Sequence, residues 1–80
     1  MNHKIIETNC KLPDVLLYRH RNEDGDEQVI IQAIGTIDDT DNTFAQEPVT
    51  FDNEYSAQRF ITDYSKTSAE LWCKQQAITY

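Results

Sequence analysis

Eighty residues, 39% of them apolar, allow one small domain and exclude a second core. Fourteen Asp and Glu against seven Lys and Arg give a net charge of −7, which argues against direct binding of nucleic acid or an anionic membrane surface, since both need a basic face. No apolar run approaches the ~20 residues of a membrane span. Met1-Asn2-His3-Lys4 leads into Ile5-Ile6 and is then interrupted by Glu7, which is not a secretory signal, so a cytoplasmic location is expected.

In chain order, His3 to Thr8 carries Ile5-Ile6 and reads as a short edge strand. Val15-Leu16-Leu17-Tyr18 and Val29-Ile30-Ile31 are β-prone runs bounded by turn residues. Between them, Asp24-Gly25 is a hairpin dipeptide, because glycine accepts the positive φ that such a turn requires. A β-hairpin over residues 14–36 follows. Gly35 and Asp38-Asp39-Thr40-Asp41-Asn42-Thr43 then read as a loop that ends the ladder. Pro48-Val49-Thr50-Phe51 suits a strand start or a sheet edge, where the missing proline N–H is tolerated.

Asp52 is placed as a helix N-cap, with Glu54 in the first turn at the positive end of the dipole. Ala57, Phe60, Ile61 and Tyr64 share the i, i+3, i+4, i+7 spacing of one helical face, which Leu71 and Ile78 continue beyond the weak stretch Ser65-Lys66-Thr67-Ser68. Thr67 with Glu70 fits a capping box, from which a second helix carries Leu71 and Trp72. A last strand from Trp72 to Tyr80 is the alternative; Ala69, Glu70, Leu71 and Lys74 favour the helix. The expected fold is α+β: a small antiparallel sheet of three to four strands with a central hairpin, covered by one or two C-terminal helices. Its expected core is Leu17, Val29, Ile31, Phe51, Phe60, Ile61, Tyr64, Leu71 and Trp72.

Little in the chain speaks for catalysis. Asp38-Asp39-x-Asp41 looks like a calcium-loop fragment, but counted from Asp39 the sixth residue is Phe44 instead of Gly and the twelfth is Thr50 instead of Glu. A solvated loop is the better reading. His3, Cys10, His20 and Cys73 lack zinc-ligand spacings, and the two cysteines are expected as free thiols. Gly25 and Gly35 are the only glycines, too few for a phosphate-cradling loop. No enzymatic role, metal or cofactor is expected.

Charge is the organised feature. From Asn22 to Glu54 there are ten acids and no Lys or Arg, a charge of −10, while the segments on either side are weakly basic. Those acids suit turns and caps, and Arg19, His20 and Arg21 can pair with the tip acids across the hairpin, so part of the pattern is structural. The functional reading is a surface that binds a basic partner. Asp38, Asp39 and Asp41 with Phe44 as an aromatic anchor rank first, with Asp52 and Glu54 expected close to them. The tip acids Glu23, Asp24, Asp26 and Glu27 rank second, at the opposite end of a strand of roughly 30 Å. Tyr18, Tyr55 and Tyr80 are further candidate anchors.

In length, in this −10 window, in its lack of motifs and in its hairpin-plus-helix plan, the chain resembles the small acidic inhibitors that bacteriophages make against host defence, the anti-CRISPR and anti-restriction proteins. The resemblance implies a stoichiometric binder in the host cytoplasm, a monomer or weak dimer. Such a binder occupies the basic, nucleic-acid-binding surface of a nuclease or surveillance complex, its carboxylates standing in for phosphates. An antidote that neutralises a basic toxin nuclease needs the same surface. A structural or accessory subunit of a phage or bacterial complex is a further alternative.

Overall fold

Four strands and two helices follow one another in the computed structural model, which describes residues 3–8, 12–37 and 40–76. They are β1 (His3–Ile6), β2 (Asp14–Arg21), β3 (Glu27–Ile37), β4 (Thr40–Phe51), α1 (Glu54–Asp63) and α2 (Lys66–Gln75). The strands pair antiparallel in the order β1-β2-β3-β4, so each lies beside its neighbour in sequence and the fold is α+β. No helix of the described residues is long and apolar enough to cross a membrane.

The β2–β3 hairpin lies where Asp24-Gly25 places it. Gly25 sits at φ 84, a region where a side chain would be strained, and its N–H donates to the Asn22 carbonyl at 3.0 Å. Asn22 Oδ1 accepts from the Asp26 N–H at 2.8 Å, which closes the tip from the other side.

The loop expected at residues 38–43 is shorter than its composition suggests. β3 ends at Ile37, β4 begins at Thr40, and these two residues pair. Asp41, Asn42, Thr43 and Phe44 are therefore strand residues; Asp38 and Asp39 lie outside the described residues. The register slips between Ala33, paired with Ala45, and Ile34, paired with Thr43, so Phe44 is the extra residue of a β-bulge. Phe44 and Ala45 are both partly buried against the core, as a bulge that turns two consecutive side chains inward allows. Pro48 lies within β4, an edge strand where its missing N–H breaks no interior ladder.

One sheet face carries the core. Ile6, Val15, Leu17, Val29, Ile31 and Ala33 pack with Ala57 and Ile61 of α1 and with Ala69, Trp72 and Cys73 of α2. Phe51, Phe60 and Tyr64 meet in sequence beside it as tilted ring pairs, with centroids 5.2 and 5.3 Å apart. Leu71, expected inside, is 54% exposed, because the helix breaks after Asp63 and α2 restarts with a different face inward. The caps differ by a residue or two from expectation. Asn53, not Asp52, caps α1, its side chain accepting from the Ser56 N–H at 2.8 Å. Ser65, not Thr67, caps α2 and accepts from the Ser68 N–H at 3.1 Å. The other end of α1 is closed from far along the chain. Lys4 Nζ donates to the carbonyls of Tyr64 at 2.9 Å, Thr62 at 3.2 Å and Ile61 at 3.4 Å, a cation on the negative end of the helix. Cys73 is a buried free thiol whose Sγ faces the Pro13 carbonyl; Cys10, Ile78 and Tyr80 lie outside the described residues.

Candidate functional site

Among the described residues, the acids of the central window spread along the sheet once the strands are paired, with Glu47 in mid-strand on β4 opposite Ile31. β4 runs antiparallel to β3 and returns to the hairpin end, where Phe51 pairs with Glu27. Asp52 and Glu54 therefore stand beside the β2–β3 tip. They do not accompany Asp41, as expected, because Asp41 pairs with Thr36 near the far end of β3; Asp38 and Asp39, expected with it, lie outside the described residues. The hairpin tip and the Ile37–Thr40 pair do lie at opposite ends of β3.

At the hairpin end a closed ionic quartet forms first. Alternation along β2 puts Arg19 and Arg21 on the helix-facing side, opposite Val29 and Glu27 of β3. Arg19 Nε and Nη2 donate to Glu27 Oε1 at 3.2 and 2.9 Å, and Arg21 Nε and Nη2 donate to Oε2 at 3.2 and 3.0 Å. Glu54, projecting from the first turn of α1, accepts from Arg21 at 3.0 Å and stands 3.5 Å from Arg19. Glu27 is 7% exposed, and the bonds from Arg19 and then Arg21 hold its carboxyl below the ordinary range. The same contacts raise the pKa of Arg21. Glu27, counted from sequence among the partner-binding acids, is thus a structural residue. Its sequence signal was cross-strand alternation with Arg19 and Arg21. His20 faces Gln28 on the other side of the ribbon and takes no part.

With Arg19 and Arg21 matched by Glu27 and Glu54, the remaining acids at this end are Glu23, Asp24, Asp26 and Asp52. All four are exposed, and none is within ion-pair distance of a cation among the described residues. Asp26, Asp52 and Glu54 line one concavity of about 430 Å³ between the hairpin tip and the start of α1, with Gly25 and Arg21 on its walls. Carboxylates placed this way can accept bidentate hydrogen bonds from guanidinium or single ones from ammonium. Sequence reasoning missed Asp52 as a member of this group. Its signal was length: twelve residues from Thr40 to Phe51 match the return along β3 if Ile37 and Thr40 are joined tightly.

Phe44, expected as an exposed anchor, is partly buried in its bulge and packs against the core. Of the other candidate aromatics, Tyr18 is half-buried on the sheet, and Tyr55 on α1 is 70% exposed. Tyr55 Oη accepts from Arg59, which also pairs with Asp63. No three His, Cys, Asp or Glu of the described residues come together as a metal site would require. Comparison with protein-family models, with curated proteins and with solved structures returns no match to this chain.

Proposed function

We propose that the chain is a non-enzymatic, acidic binding protein that inhibits a nuclease or a nucleic-acid-binding complex by occupying its basic surface, in the manner of anti-CRISPR or anti-restriction inhibitors. The observation that supports this most is the concentration of Glu23, Asp24, Asp26 and Asp52 at one end of the molecule, with the nearby arginines already satisfied within the protein. Glu23, Asp24 and Asp26 sit in the tight β2–β3 turn that the Asn22 bonds close, and Asp52 sits between β4 and the Asn53 cap of α1, so the four carboxylates present charge at the spacing of a surface rather than of a flexible tail. This favours the hairpin end over residues 38–41 as the docking surface, since Asp52 now counts with the tip and Phe44 is not free to serve as an anchor.

The test is a panel of purified nucleases: RNA-guided, restriction-type and toxin-type. Each is assayed for binding of the chain with and without its nucleic acid, and for cleavage. The expected result is binding to a nuclease whose groove is empty, loss of that binding when nucleic acid fills the groove, and inhibition of cleavage. Replacing Glu23 by Gln and Asp24, Asp26 and Asp52 by Asn together should weaken binding at least tenfold, about 1.4 kcal/mol. Asn at Asp38, Asp39 and Asp41 should do less. Loss of binding by the second variant alone would move the site to the other end of the sheet. Normal binding by both would leave the acids a solubilising role.

A further inference from the structure

The second face of the sheet is mixed: His3, His20, Gln46 and Thr50 are exposed on it, Gln28 and Gln32 bond across to Thr50 and Gln46, and between these polar groups runs an apolar row. Strand alternation puts Ile5, Leu16, Tyr18, Ile30, Ile34 and Pro48 on the side away from α1 and α2. Ile30 makes the division plain: it is only 5% exposed, yet it is not part of the cluster that packs beneath the helices. The runs Val15-Leu16-Leu17-Tyr18 and Val29-Ile30-Ile31 thus send apolar side chains to both faces, the pattern of strands covered on both sides rather than on one. In the free chain Ile5 remains 56% exposed on this face.

We infer that a second copy of this chain covers this face, sheet against sheet. Charge selects that occupant. In a chain of net charge −7, the register places two acids on this face among the described strand residues, Asp14 and Asp41, both toward the end away from the hairpin tip, and no Lys or Arg. Two copies can meet there without opposing their acidic ends, whereas a basic partner would find its carboxylates at the hairpin end instead. The size agrees. Four strands about 4.8 Å apart, of four, eight, eleven and twelve residues at about 3.3 Å each, give a face on the order of 500 Å² in plan. Side-chain relief brings that toward the lower end of the roughly 800 Å² per partner of a stable interface, so a dimer of micromolar strength is expected. The contact is isologous, the same patch on both copies, and it closes as a pair without growing into a fibre.

Sedimentation equilibrium on the full chain, from about 1 µM to about 500 µM, reads this directly. The mass should rise toward twice that of one chain across that range. Ile5→Glu and Gln46→Glu each place a carboxylate on the face and should shift the midpoint at least tenfold to higher concentration, with melting temperature unchanged. Leu71→Glu, at an exposed apolar site on α2, should leave the midpoint where it is. Should Ile5→Glu fold poorly, Gln46→Glu decides, because that residue is exposed and polar. A mass that stays at one chain throughout, or a dimer dissociated by Leu71→Glu and not by the sheet variants, overturns the inference.

Discussion

Glu27 shows how one residue changes meaning between sequence and structure. Among four tip acids it is the one whose register sets it against Arg21, with Arg19 two residues away on the same face, and the pair of guanidinium groups keeps it ionised. Because its folded-state pKa is lowered, the stability it contributes is fully present above the unfolded value of a glutamate. That stability is lost as pH falls through the lower, folded value. Thermal melts from about pH 7 to about pH 2 should therefore show a fall in Tm on the acid side. Glu27→Gln should lower Tm at neutral pH, since it leaves two arginines short of their partner, and should flatten the acid fall. Glu23→Gln, exposed at the tip, should match the unaltered chain at neutral pH. Equal melting of the two variants would mean that the quartet is surface decoration.

Among the elements, the helix caps separate two neighbours that composition alone treats as equals. Asn53→Ala should cost about 1 kcal/mol in urea titration, the ordinary loss for a cap that bonds an otherwise orphaned N–H. Asp52→Ala, one residue earlier, should cost a few tenths at most. The sequence-based choice of Asp52 fails because both residues are good caps and only backbone geometry decides which stands at the boundary. Longer-range features divide in the same way. The first hairpin was legible because Asp24-Gly25 is a local turn signal between two apolar runs, and α1 because Ala57 and Ile61 keep helical spacing. The second hairpin was not, because Asp38 to Thr43 has loop-like composition, while Thr40 to Thr43 are held in pairing by β3 rather than by their own propensity. The bulge at Phe44 is invisible for a related reason: it exists only in the relation of two strands. Leu71 misled because a single helical face was carried across the break at Tyr64 and Ser65.

At the scale of the molecule, the candidate site depends on topology more than on any motif. A meander returns Asp52 to the hairpin tip, so that acids 26 positions apart in sequence, Asp26 and Asp52, share one concavity. If this end meets a basic groove, the association rate should fall steeply from low to physiological salt, where screening acts beyond about 8 Å, while the dissociation rate changes less. Stopped-flow or surface-based kinetics at several salt concentrations would read it, and an on-rate indifferent to salt would remove the electrostatic account. The same topology has a consequence in time. Neighbouring strands meet through short loops, but Lys4 reaches across 57 to 60 residues to the end of α1. Such a contact closes a loop of most of the described chain and belongs late in folding. Lys4→Met, worth about 1 kcal/mol, should then speed unfolding about fivefold and leave refolding nearly unchanged. Lys4 would act as a latch, setting how long the protein stays folded rather than how quickly it folds.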